Sequence, residues 1–181
     1  MEVIENEKKI GEFIGVKAHQ WAIIDASNLP FCDWVVDACK ANYCGKYATT
    51  WTCPPGVGTL DELKAKALAF ERALVFSTKH EIEDSFDIEG MQEGRERHER
   101  LTDEVVDFFA PNNIRALSAE GCGLCAKCTY PDSPCRYPDK ARSSVEANGI
   151  SVVDLAKICS INYHNGANTV TYFSVILFNA S

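Results

Sequence analysis

Four cysteines fall within the eighteen residues from Gly121 to Pro138. Spaced C-x2-C-x2-C-x6-C, they are Cys122, Cys125, Cys128 and Cys135. Two-residue gaps let successive thiolates converge on one centre, and the glycines and prolines between them favour a tight loop. Thiolates are the ligands of structural zinc and of iron–sulfur clusters. The segment therefore predicts a metal or cluster site rather than four buried apolar thiols.

The bunching of these cysteines favours a [4Fe–4S] cluster over zinc. Zinc ribbons usually pair two C-x2-C knuckles far apart in sequence, whereas this run resembles that of bacterial ferredoxins. In the ferredoxin run the last gap is shorter, and the fourth cysteine ligates a second cluster. The longer gap before Cys135 predicts that this thiolate returns to the same cluster. Zinc remains the alternative.

A second cysteine group lies earlier in the chain and is spaced C-x4-C-x8-C, which matches no zinc knuckle. It consists of Cys39, Cys44 and Cys53. Cys32 and Cys159 are the candidates for a fourth ligand, although Cys159 lies on an apolar helix face that favours the core. A site with three thiolates would leave one iron open, as catalytic zinc keeps an open position.

Composition limits the function classes. With 181 residues and 46% hydrophobic residues, the chain predicts a single domain spanning residues 1–181. Its net charge of −8 argues against nucleic-acid binding, and no run of about 20 apolar residues predicts a membrane helix. The polar N-terminus predicts no secretory signal, so we expect a cytoplasmic protein. A reducing cytosol disfavours disulfides, so the cysteines are read as ligands.

The remaining patterns predict an α/β or α+β fold, a small mixed sheet with flanking helices. Cysteine-rich, cluster-binding loops are expected at about 32–58 and 121–142. Helices are predicted over Asp33–Lys40, from Thr59, over Glu89–Phe109 with its end at Pro111, and from Ser151. Strands are predicted within Glu12–Ile24 and over Ala73–Thr78, Ile114–Ala119 and Thr169–Phe178. The last strand is apolar on both faces, which predicts a central position.

The segment from Glu81 to Asp107 carries eleven acidic and three basic residues. It is interpreted as a solvated helix face, with a docking surface for a basic partner as the sharper alternative. The four histidines are scattered singly, which favours surface or hydrogen-bonded roles over ligation. The sequence contains no nucleotide-binding or hydrolase motif.

Two strings resemble a family of bacterial and archaeal predicted metal-binding proteins of unknown function. One runs from Cys44 through Trp51-Thr-Cys53-Pro-Pro-Gly56 to Thr59, and the other runs from Gly121 through Pro134-Cys-Arg-Tyr-Pro to Ile150. The resemblance covers about residues 10–178 and implies metal or cluster binding in a cytosol of the anaerobe type. It implies ligand roles for Cys39, Cys44, Cys53, Cys122, Cys125, Cys128 and Cys135. It names no reaction.

Three hypotheses follow. The first is a protein with two [4Fe–4S] clusters that passes electrons to a partner enzyme in anaerobic metabolism. One cluster would be held by the four-cysteine loop, and the other by Cys39, Cys44 and Cys53 with Cys32. The second is an enzyme in which the open iron of a three-cysteine cluster binds a small substrate. The third is a structural zinc-binding module.

Overall fold

The structure, a computed structural model, describes residues 2–110 and 112–179, with side chains from Asn6 onward. A four-stranded sheet of order β1-β2-β4-β3 forms its centre. The strands are β1 Gln20–Asp25, β2 Arg72–Glu81, β3 Ile114–Leu117 and β4 Thr169–Phe178. All three strand pairs are antiparallel. The predicted class of a small sheet with flanking helices is confirmed, and the sheet is antiparallel where a mixed one was expected.

Helices cover both faces of this sheet. They are α1 Glu2–Ile14, α2 Asp33–Lys40, α3 Leu60–Leu68, α4 Ile88–Phe109 and α5 Val152–Cys159, and short 3₁₀ turns occupy Ala26–Asn28 and Glu146–Asn148. Successive β2 residues point to opposite faces because strand side chains alternate. Leu74 and Phe76 pack with residues of α1 and α4, whereas Ala73 and Val75 pack with residues of α3 and α5. The sheet is therefore buried on both sides.

Strand β4 lies between β2 and β3, as its doubly apolar sequence predicts. The capping box at the start of α3 is also present. Thr59 accepts from the backbone amide of Glu62, and the Glu62 carboxylate accepts from the backbone amide of Thr59 at 2.8 Å. Ser151 caps α5 by accepting from the amide of Asp154. No helix in the described part of the chain is long and apolar enough to cross a membrane.

The strand predicted within Glu12–Ile24 is wrong in its first part. Phe13 and Ile14 end helix α1, and β1 begins only at Gln20. Ile10 and Ile14 lie one helical turn apart, and both are buried against the sheet, so the helical period decides the structure here. The predicted helix end at Pro111 lies outside the described residues.

The two cysteine-containing segments begin at neighbouring places in the fold. One leaves the C-terminal end of α2, and α2 packs against the 3₁₀ turn Glu146–Asn148. The other leaves β3 and returns where Ser118 forms a parallel bridge with Ser144, just before that same turn. This arrangement brings two parts of the chain that are distant in sequence to one end of the molecule.

Candidate metal centres

The four cysteines of the later segment line one cavity, which we call the four-cysteine cavity. Its volume is about 520 Å³, and its wall includes Trp51, Tyr130, Cys122, Cys125, Cys128 and Cys135. The structure thus brings together all four residues that the spacing predicts to share a site. Trp51 comes from the earlier segment, so this cavity is built by both parts of the chain.

Hydrogen bonds within the segment fold its long gap back on itself. The Thr129 hydroxyl donates to the carbonyl of Pro134 at 2.8 Å, and the Arg136 guanidinium donates to the carbonyl of Lys127 at 3.0 Å. The four residues joined by these hydrogen bonds are the immediate neighbours of Cys128 and Cys135 in the chain. The two bonds explain how Cys135, seven residues after the last cysteine of the C-x2-C-x2-C run, reaches the same cavity.

The surroundings of Cys128 favour its thiolate. Desolvation acts to raise the pKa of this thiol, but donors from the backbone N–H groups of Tyr130, Trp51 and Thr129 lower it, as does the charge of Arg136. The net effect is a pKa below the ordinary value. A metal ligand must be deprotonated, and hydrogen bonds to sulfur tune the potential of a bound cluster.

The three earlier cysteines line a second cavity of about 330 Å³, which we call the three-cysteine cavity. Cys39 lies in the last turn of α2, Cys44 is exposed, and Cys53 is buried. The Cys39 thiol donates to the carbonyl of Glu146 at a sulfur–oxygen distance of 4.0 Å. Lys46, Glu120 and Glu146 also line this cavity, so it combines thiols with ionisable side chains.

The three-cysteine cavity concentrates groups that become anionic. Desolvation raises the pKa of the Cys39 thiol, and the neighbouring Cys44, Glu146 and Cys53 raise it further because like charges repel. Lys46, the cation in this wall, already pairs with Glu120 at 3.3 Å, so the three thiols and Glu146 would gain from a further positive charge. A metal cation supplies that charge, so this donor set fits a metal centre.

The two cavities adjoin through direct contacts. A Cβ atom on Gly121 would lie only 2.9 Å from the sulfur of Cys53, so the glycine allows the two segments to touch. The backbone amide of Cys122 donates to the Thr52 hydroxyl at 3.1 Å. Thr52–Cys53 and Gly121–Cys122 therefore form a shared wall, with one predicted ligand of each centre on either side.

An aromatic contact reinforces this junction between the segments. The Trp51 indole donates to the carbonyl of Ser133 at 3.0 Å. The Trp51 and Tyr130 rings meet edge to face with centroids 4.9 Å apart. A Cβ atom on Gly56 would meet the Tyr130 ring at 2.8 Å. The earlier segment therefore supports the later one.

Helix α4 anchors the later segment electrostatically. Glu120 is held between Lys46 at 3.3 Å and Arg95 of α4 at 3.5 Å, and Arg142 pairs with Asp103. The Glu99 carboxylate accepts from the backbone amide of Ala119 at 3.3 Å. Part of the acidic helix thus contacts its own chain rather than only solvent. Sequence reasoning missed these supporting residues, because nothing in their spacing marks the ion pairs.

The two remaining cysteines lie away from these walls. Cys32 precedes α2, so a helix of eight residues separates it from the end that carries Cys39. Its thiol donates to the carbonyl of Pro30 at 3.5 Å. Cys159 lies in the apolar core, where burial raises the pKa of its thiol to about 11. Cys32 as a ligand therefore stays a prediction.

The arrangement of the thiols can be compared with the arrangement that a metal centre needs. All nine cysteines are free thiols. Within residues 2–110 and 112–179, no three His, Cys, Asp or Glu side chains are grouped to hold a single metal ion. The thiols instead line open volumes, which have room for a group of several atoms. Thiolates ligate both zinc and iron–sulfur clusters, so the donor chemistry of the two cavities fits a metal centre.

A comparison with protein families shows which family the chain belongs to. The model of the family described as "Predicted metal-binding protein (DUF2284)" matches residues 22–178. The chain belongs to this predicted metal-binding family. The match includes every cysteine discussed above, so the predicted resemblance is confirmed. No curated protein and no solved structure matches the chain. Membership in the predicted metal-binding family supports metal binding without identifying the metal.

Proposed function

We propose that this member of the predicted metal-binding family holds two [4Fe–4S] clusters and passes single electrons to a partner enzyme. Cys122, Cys125, Cys128 and Cys135 would hold the first cluster. Cys39, Cys44 and Cys53 would provide three ligands of the second, and Cys32 is the candidate for the fourth. Such clusters supply reversible one-electron chemistry over a potential range of about −700 to +450 mV.

The observation that carries this proposal is the shared wall between two cysteine-lined cavities. Thr52–Cys53 and Gly121–Cys122 meet through the sulfur contact at Gly121 and the hydrogen bond between Cys122 and Thr52. A storage or structural role needs only one centre, whereas two adjoining redox centres let an electron enter at one and leave at the other. The adjacency therefore favours transfer over a purely structural role.

The outer surface of the four-cysteine cavity supports a protein partner. Leu124 and Tyr137 line this cavity and remain 50% and 47% exposed. Apolar and aromatic side chains on a surface are typical of contacts with another protein. Lys127 and Arg136 lie beside them and give this rim a local positive charge. We therefore expect the electron partner to contact this end with an acidic surface.

Serine substitutions at one ligand of each cavity test the proposal. We expect Cys125→Ser and Cys44→Ser, purified without oxygen, each to lose about half of the iron and sulfide. In the wild-type protein, reduction of both clusters should give an electron paramagnetic resonance signal broadened by their magnetic interaction. Each variant should lose that broadening.

The matched control is Cys159→Ala, which removes a thiol that lines neither cavity. It should retain the wild-type iron, sulfide and spectrum. The two-cluster proposal is wrong if Cys125→Ser and Cys44→Ser keep the same iron content as Cys159→Ala. Loss of all iron from either variant would point to one shared centre instead.

A second candidate function is an enzyme, and the composition of the three-cysteine cavity favours it. Among the described residues, three cysteines line this cavity, alongside Lys46, Glu120 and Glu146. An iron without a protein thiolate would act as a Lewis acid toward a small substrate. Cys32→Ala separates the candidates, again with Cys159→Ala as the control. Unchanged cluster content and spectrum would exclude Cys32 as a ligand and favour the enzyme, whereas partial cluster loss would favour electron transfer.

A further inference from the structure

A third cavity lies apart from the cysteines, and we call it the basic cavity. It has a volume of about 500 Å³ and lies between the α1–β1 connection, the end of β2 and the middle of α4. Its wall includes Lys17, His19, Thr78, His80, Arg97 and Arg100. Volumes of this size are typical of small-molecule sites.

The charge of this cavity is opposite to that of the whole chain. Lys17, Lys79, Arg97 and Arg100 line it, and Glu104 is the only carboxylate among the described residues of the wall. The chain as a whole carries a net charge of −8. Glu104 pairs with Lys17, and Arg97 pairs with Glu93 through exposed side chains. An excess of positive charge therefore faces the cavity and would attract an anion.

A buried hydrogen-bond network holds the inner wall of the basic cavity. The Thr78 hydroxyl lies 2.8 Å from His80 Nε2 and 2.8 Å from His98 Nδ1. His98 Nε2 lies 2.8 Å from the Ser174 hydroxyl, which in turn lies 3.0 Å from that of Thr102. His98 is fully buried, and desolvation followed by the nearby His80 lowers its pKa to about 3. This network of uncharged, hydrogen-bonded side chains therefore holds His80 in place at the cavity wall.

The polar groups approach from several directions. Arg97, Arg100 and Glu104 follow one another at intervals of three and four residues, so they share one face of α4. Lys17 and His19 approach from the connection between α1 and β1, and Thr78 and His80 come from β2. A planar carboxylate is contacted mainly at one edge, whereas a phosphate presents oxygens on all sides. Guanidinium groups bind phosphate oxygens in pairs.

We propose that the basic cavity binds the phosphate group of a small molecule, with Arg97 and Arg100 as its principal contacts. The site is separate from the cysteine-lined cavities and does not depend on which metal they hold. The fixed imidazole of His80 and the hydroxyl of Thr78 give the inner wall its polar groups, and Lys79 supplies a further cation.

Calorimetry on the full, metal-loaded chain tests this site with inorganic phosphate and pyrophosphate as probes. We expect saturable binding at one site, tighter for pyrophosphate and weaker as salt is added. Arg100→Gln should weaken binding at least tenfold. It removes an exposed charge, so folding should be unaffected. The control is Lys64→Gln, which removes one positive charge from the exposed face of α3 and should leave the affinity unchanged.

Each remaining outcome contradicts the proposal. Equal weakening by Arg100→Gln and Lys64→Gln would show a general charge effect instead of a site. Equal affinities of the wild type and Arg100→Gln would place phosphate elsewhere. A citrate probe separates the anion classes, because saturable binding of citrate without binding of phosphate or pyrophosphate would identify a carboxylate site and overturn the phosphate assignment.

Discussion

Replacing Gly121 with alanine tests the contact that joins the two cysteine-lined cavities. The new Cβ would lie 2.9 Å from the Cys53 sulfur, at least about 0.5 Å inside the 3.4 Å where ordinary contact begins. The backbone of Gly121 lies outside the left-handed region, so alanine adds no backbone strain. The substitution must therefore displace Cys53. We expect the three-cysteine site to lose its metal, so iron falls from about eight to about four atoms per chain.

The matched control is Gly123→Ala, on the other side of Cys122. A Cβ there would lie more than 4 Å from every described atom outside its immediate chain neighbours, so this variant should keep the wild-type iron content. Overpacking costs typically about 1–3 kcal/mol, and far-UV circular dichroism will show whether Gly121→Ala still folds. Folded Gly121→Ala with the same iron content and spectrum as Gly123→Ala would refute the shared wall.

Three further predictions concern the scaffold and its metals. Thr59→Ala removes the cap of α3 and should lower the free energy of unfolding by about 1 kcal/mol, measured by urea denaturation with an unchanged slope. The pKa of His98 is lowered in the folded state, so its stability contribution is present above pH 6.5 and is lost as the pH falls toward 3. The free energy of unfolding should be measured for the wild type and for His98→Gln across this pH range. Its decrease per pH unit should be steeper in the wild type, by up to about 1.4 kcal/mol. Removing the metal with a chelator should increase hydrogen exchange in residues 41–58 and 118–142, because metal binding orders these segments, and should leave β2 and β4 protected by the apolar core. Equal loss of protection in β2, β4 and the two segments would contradict this prediction.

Much of the scaffold could be predicted because local patterns agree with tertiary packing. The β4 sequence is apolar at both alternating sets of positions, and the strand is central. The residues Thr59 and Glu62 have capping-box spacing, and both hydrogen bonds form. The prediction failed at α1, where β-prone residues are packed at helical spacing. Gly11 of α1 lies against the Trp21 ring, a contact that sequence reasoning could not anticipate.

The cysteine sets could be predicted from the sequence, but their relation to each other could not. Spacing marks thiols that can converge locally, and the structure does group each set around a cavity. The contact between Cys53 and Gly121 joins positions far apart in the chain and depends on the placement of α2 beside the Glu146–Asn148 turn. The basic cavity is equally non-local, because the α1–β1 connection, β2 and α4 each contribute polar residues that form no motif.

The central claim is that two adjoining sets of thiolates hold iron–sulfur clusters. Iron, zinc and acid-labile sulfide should be measured in protein that has been purified without oxygen, because air can destroy clusters and permit zinc to replace them. The account predicts a brown protein with about eight iron and about eight sulfide per chain. A colourless protein with stoichiometric zinc and no sulfide would contradict it.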